Sequence, residues 1–194
     1  MTAVADAHLP AAFTYAQAKR GGLSERQIRA LTEAGAIEQL ARGVYLRVDA
    51  PAHEADLLQV AAKASDATLC LRSSLVRHGL IDDIPDRIDL ALPRGRRRPV
   101  TGAPVRWHAF DPRTFELDRE TVELSGELSL GLYGPERSII DAFRLRHLEG
   151  PELAHDALKA WLRQPGSRPA SLLRMANSFP KAEPALRQAL QVLL

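Results

Sequence analysis

Hydrophobic positions recur along this chain with two periods, one helical and one of strand type, and the points of changeover mark its elements. Within residues 13–34 the spacing is helical, and two helix starts carry the same signature. Thr14 and Gln17 are placed for a capping box, in which the hydroxyl accepts from the third helical amide and the glutamine side chain reaches back. Ser24 and Gln27 repeat it, and Leu23 with Ile28 has the spacing of a hydrophobic staple. Gly21-Gly22 suits the tight turn between the two helices. The second helix is predicted over 25–34, with Gly35 as its stop. A helical period puts Ile28 and Leu31 on one side and Arg26, Arg29, Ala30 and Glu33 on the other, so the first side packs and the arginine side faces out. Residues 37–40 and 44–48 read as two strands joined by Ala41-Arg42-Gly43, a hairpin loop whose glycine can take positive φ. Helix, turn, helix and hairpin together make a winged helix.

Beyond residue 50 both periods occur. A helix is predicted over 54–64, a short strand over 68–71, a short helix over 73–78, and strands over 87–92, 105–110, 120–124 and 128–133. Pro135 and Pro151 each follow a glycine and fit the first turn of a helix, and two more helical segments cover 168–179 and 181–194. The fold class is α+β: an N-terminal winged helix-turn-helix, then a mixed α/β domain ending in several helices. Residues 1–12, small and alanine-rich, read as a flexible tail, 13–50 as the winged helix and 51–194 as the second domain. Pro51 marks the boundary, because proline interrupts the preceding strand and can open the next helix.

With 45% apolar and 26% charged residues, the composition is that of an ordinary globular chain and excludes fibrous or wholly disordered classes. The formal charge of +2 conceals a bias, since only Lys19, Lys63, Lys159 and Lys181 of the 26 basic residues are lysine. Arginine presents a planar fork of donors that suits carboxylate and phosphate. The single cysteine, Cys70, excludes an internal disulfide and a cysteine-cluster metal site. Charges interrupt every apolar stretch before the roughly 18 residues of a membrane helix, and no signal-peptide pattern opens the chain, so no membrane is expected and the cytoplasm is the default.

Where the arginines cluster carries the functional reading. A recognition helix needs an apolar face for its own domain and a polar face for base edges, and Arg is the commonest reader of guanine. Arg26 and Arg29 meet that need, with Gln27 either reading a base or held by the cap. Ser24 and the free amides beside it could hold a phosphate. Arg42 at the hairpin tip and Arg47 on the return strand are placed for the minor groove or backbone. Residues 1–50 carry six basic and five acidic residues, so added attraction must come from elsewhere. The candidate is Arg94, Arg96, Arg97 and Arg98, four arginines in a five-residue loop between prolines. The expected partner is double-stranded DNA.

Four blocks then resemble a known family. Gly21-Gly22-Leu23-Ser24 with Leu40-Ala41-Arg42-Gly43-Val44-Tyr45 resembles the winged helix of AbiEi-type antitoxins from abortive-infection toxin–antitoxin systems. Cys70-Leu71-Arg72-Ser73-Ser74-Leu75 with His78-Gly79-Leu80, Asp89-Leu90-Ala91-Leu92-Pro93-Arg94-Gly95, and Tyr133-Gly134-Pro135-Glu136-Arg137-Ser138-Ile139-Ile140-Asp141-Ala142 resemble the family's C-terminal domain. The resemblance implies autorepression of an operon through inverted repeats and antagonism of a nucleotidyltransferase-like toxin. It maps DNA reading onto Arg26, Gln27, Arg29 and Arg42.

Enzyme readings are weaker. Asp82, Asp83, Asp86 and Asp89 offer carboxylates for a Mg²⁺-dependent nuclease, but no Glu-x-Lys follows and they read as turn residues around Pro85. A nucleotidyltransferase signature and a phosphate-binding loop are both absent. Ser73 and His78 point to different sides of one helix, with Ser73 read as a cap. Asp141, between Arg137 and Arg144 at helical spacing, reads first as an ion pair on the helix surface, then as a toxin contact or part of a buried network. His8, His53, His108, His147 and His155 lack ligand spacing. No catalytic residue, metal or cofactor is expected; the competing class is an interaction module that binds its toxin directly.

Overall fold

The computed structural model describes residues 9–50 and 52–194, with side chains described at 9–50 and 55–194. The first eight residues of the expected tail, His8 among them, the Pro51 boundary and the His53 side chain lie outside the described residues. The chain forms two compact units. The first runs to Ala67 and includes Pro99–Pro104 and Thr121–Gly131; the second comprises Thr68–Arg98, Val105–Glu120 and Leu132–Leu194. Residues 13–50 are therefore one part of a larger and discontinuous first unit.

In that unit, β1 (Ala12–Thr14), α1 (Tyr15–Arg20), α2 (Glu25–Glu33), β2 (Ile37–Ala41) and β3 (Val44–Arg47) are followed by α3 (Ala52–Lys63). Both capping boxes form. The Thr14 hydroxyl accepts from the Gln17 amide at 3.2 Å while Gln17 Oε1 accepts from the Thr14 amide at 2.7 Å. The strands form an antiparallel sheet in the order β1-β3-β2, and Phe13, Ala18, Leu23, Ile28, Leu31 and Ile37 make the core beneath it. One sequence expectation needs correction here. Residues 9–12 do not form a loose tail: Leu9 and Ala12 are buried, and Ala12 opens β1 by pairing with Leu46. A three-residue strand is too short to show a period, and its partner lies more than thirty residues away.

The remaining elements are β4 (Thr68–Leu69), α4 (Leu71–Arg77), β5 (Ile88–Pro93), β6 (Val105–Phe110), α5 (Pro112–Phe115), β7 (Arg119–Ser125), β8 (Leu128–Tyr133), α6 (Pro135–Arg144), α7 (Arg146–Glu149), α8 (Pro151–Leu162), α9 (Pro169–Ala176) and α10 (Glu183–Leu193). The strand order is β6-β5-β4-β8-β7, with β5 and β6 parallel and β4 antiparallel to β5. The α+β class and the prolines opening α6 and α8 agree with the sequence. Apolar faces of α6, α8, α9 and α10 meet around Ile140, Phe143, Leu158, Trp161, Leu172 and Leu186.

Two local readings change. Ser73 does not cap α4, whose cap position is Cys70; its hydroxyl accepts the Asp89 amide at 2.8 Å instead. Asp141 does not pair on the helix surface. Arg137 and Asp141 are both fully buried, 2.9 Å apart, and Arg144 reaches the other carboxylate oxygen at 2.8 Å. Arg137 also donates to the Thr114 and Leu117 carbonyls at 2.6 and 2.8 Å, and its guanidinium lies 4.2 Å from the Tyr133 ring centroid and 4.6 Å from that of Phe179. Its Nη2 has no hydrogen-bond partner among the described residues, which leaves the aromatic faces to stabilise that end of the charge. Removing one member of a buried pair strands the other. Asp141→Ala should therefore cost about 3–5 kcal/mol of unfolding free energy in urea titrations, and Arg144→Ala, at the partly exposed end, clearly less.

Candidate nucleic-acid interface

The second helix of the winged helix is built to present its arginines. Ile28 and Leu31 are buried and fix the rotation of α2, so Arg26 and Arg29, one turn apart, are exposed. Arg29 makes only a long, exposed pair with Glu25, at 3.6 Å, which water and salt weaken strongly. The Arg26 side chain has no ion pair or hydrogen bond among the described residues. The start of α2 is closed by its own cap: the Ser24 hydroxyl accepts the Gln27 amide at 3.3 Å and donates to Gln27 Oε1 at 2.7 Å, and the Ser24 amide donates to the same oxygen at 2.8 Å. Gln27 is thus engaged through its side-chain oxygen in the cap. At the hairpin tip Gly43 takes φ +72°, which turns the chain tightly and leaves Arg42 exposed.

Arg47 differs from the others. Its guanidinium donates to both Asp49 carboxylate oxygens, at 2.8 and 2.5 Å, and to the Leu9 carbonyl at 3.1 Å. The arginine beside it holds the Asp49 carboxyl below its ordinary range. Arg47 therefore ties the segment before β1 to the end of β3. In the second unit, Arg94, Arg96, Arg97 and Arg98 follow β5 as an exposed turn in which the Arg96 amide donates to the Pro93 carbonyl at 3.0 Å. Two cations that the sequence reading passed over, Lys19 and Arg20, are exposed in the last turn of α1, beside the turn that leads into α2. Their signal was present: basic residues immediately before the Gly21-Gly22 turn of a helix-turn-helix.

The four aspartates once considered for Mg²⁺ separate. Asp83 pairs with Arg72 at 2.5 Å, whereas Asp89 is a buried strand residue rather than a turn residue, with Arg106 at 2.6 Å and His108 at 2.8 Å. Arg106 also pairs with Glu149, at 2.8 Å. A polar cavity of about 220 Å³ opens over this network, lined by Arg72, Asp86, Arg87, Asp89 and Arg106. No group of three or more His, Cys, Asp or Glu side chains suited to a metal ion occurs among the described residues, and none of their helices is long and apolar enough to cross a membrane.

Residues 11–48 match the family model described as "Transcriptional regulator, AbiEi antitoxin". No curated protein matches the chain. Among solved structures, the RV2827C protein from Mycobacterium tuberculosis shares the fold with a TM-score of 0.55 at 18% identity, over 99% of this chain and 80% of that one.

Two outcomes test the local chemistry. Ser24→Ala removes the acceptor that closes α2 and should cost about 1 kcal/mol in denaturant unfolding. Burial pushes the Asp89 carboxyl up, but the hydrogen bonds from His108 and Arg106 together outweigh it and hold it below its ordinary range. Its stabilising contribution is complete above the unfolded carboxylate pKa and is lost as pH falls through the lower folded value. Stability measured from about pH 5 downward should therefore decline, and Asp89→Asn should flatten part of that decline.

Proposed function

We propose, from the match of residues 11–48 to the AbiEi antitoxin regulator model, that the protein binds double-stranded operator DNA and represses its own operon. The observation that carries this reading is the outward pair Arg26 and Arg29 on a capped helix whose opposite face is locked into the core. Arg26 and Arg29 enter the major groove and Arg42 meets the minor groove or backbone at the wing. Arg94, Arg96, Arg97 and Arg98 add sequence-independent attraction to phosphates. Arg47 acts inside the protein, holding the N-terminal strand in place.

The inverted repeats expected upstream of the operon supply two half-sites. The antitoxin description of that family model supports antagonism of a toxin encoded nearby, and the sequence resemblance implies that this toxin is nucleotidyltransferase-like. Copurification of the adjacent gene product at a salt concentration that abolishes DNA binding distinguishes direct neutralisation from control of expression.

Fluorescence anisotropy on the upstream region tests the DNA reading. Arg29→Ala should reduce discrimination between operator and mutated operator by about 1–3 kcal/mol, while neutralising Arg97 and Arg98 should weaken all duplexes alike and flatten the salt slope by about 1.8. Unchanged binding in both variants would remove the reading.

A further inference from the structure

The first unit contains a segment from far along the chain. The turn joining β7 to β8, Ser125-Gly126-Glu127, lies against β1 and α1. The Ala12 amide donates to Ser125 Oγ at 3.2 Å, which satisfies a backbone donor of β1 that has no strand beyond it. Gly126 sits at φ +64°, and a Cβ there would come within 2.6 Å of the Ala12 carbonyl oxygen and 3.2 Å of the Gln17 side-chain amide. Only glycine permits both that conformation and that approach. These two anchors deliver Glu127 to Arg20, with Nη2 to Oε1 at 2.8 Å.

Both partners remain more than half exposed, at 67% and 55%. A pair so open to water and salt adds little to folding, so its placement is hard to explain as a stabilising device. Arg20 ends α1, the first helix of the helix-turn-helix, directly before the turn into α2. In this motif the first helix crosses the phosphate backbone while the second reads bases. A guanidinium at that position can bind a phosphodiester oxygen as readily as a carboxylate.

We propose that Arg20 is a phosphate-contact site of the winged helix, and that Glu127 is its resident competitor. Bound DNA exchanges the carboxylate for a phosphate, so the turn sets the baseline affinity for DNA of any sequence. The inference rests on the DNA-binding reading above and adds a site and a control element to it.

The full-length protein is titrated with a fluorescein-labelled duplex of mixed sequence over a range of salt. Glu127→Gln frees Arg20 without altering size and should bind more tightly than the parent at each salt concentration, with a similar slope of log K against log salt because both make the phosphate contact, whereas Arg20→Gln should flatten that slope by about 0.9. A roughly fourfold rise in salt then costs the parent about 3.5 times more affinity than it costs Arg20→Gln. Arg20→Gln should bind more weakly than the parent, and the double variant should match Arg20→Gln alone, because Glu127 acts only through Arg20. Glu127→Asp, which keeps the charge, should stay close to the parent. Circular dichroism confirms that each exposed substitution leaves the fold intact. If Glu127→Gln binds as the parent does, or if the double variant still gains affinity over Arg20→Gln, the inference is overturned while the DNA reading stands. A parent that binds no duplex overturns both.

Discussion

The buried charge of Arg137 is the constraint around which the second unit is arranged. A guanidinium with no exposure survives only where its charge is compensated, and the partners here come from four places in the chain: Asp141 one turn along α6, the Thr114 and Leu117 carbonyls in and just after α5, the ring of Tyr133 at the end of β8 and the ring of Phe179. Each of these groups must arrive in register, or the cost of the unpaired cation is incurred. Asp118 contributes in the same place by accepting the Arg137 amide at 3.2 Å and closing the start of α6, whose own cap residue is a glycine without a side chain. Sheet, short helix and helical core are in this way bound to one side chain.

The arginine excess divides into two chemical populations. One population, Arg47, Arg72, Arg106, Arg137 and Arg144, is paired with carboxylates and ties elements of the protein together. Another, Arg26, Arg42, Arg97 and Arg98, is exposed without a carboxylate partner among the described residues. A near-neutral total is thus compatible with cationic local surfaces, because Asp49, Asp83, Asp89, Asp141 and Glu149 are taken up by the paired arginines. Net charge describes the sum, while phosphate attraction depends on what remains outside.

What could be read from sequence is what is decided locally. Thr14 with Gln17, and Ser24 with Gln27, are three residues apart, so their capping boxes are written in adjacent letters and both helices followed. The hairpin was legible for the same reason, with Gly43 marking its turn. The ion pair of Asp141 with Arg137 was visible from its spacing, but its burial was not, since Thr114, Tyr133 and Phe179 are contributed by other elements. Asp89 falls inside the strand expected over 87–92, but its burial and pairing were not legible, because its partners Arg106 and His108 stand 17 and 19 positions away on a neighbouring strand. The role of Arg20 was hidden further still, with its carboxylate 107 positions later.

The contact between Ala12 and Ser125 spans 113 positions. A ribosome that has made the winged-helix segment has not yet made the piece that closes its sheet edge, and must add more than seventy further residues before it does. The first unit is consequently completed only after a long loop has been closed at an entropic cost. Chains ending before that turn carry α2 with the Ala12 amide and the Arg20 guanidinium both lacking the partners that residues 125 and 127 supply. Closure of this unit is therefore a property of the extended chain and not of the winged-helix segment alone.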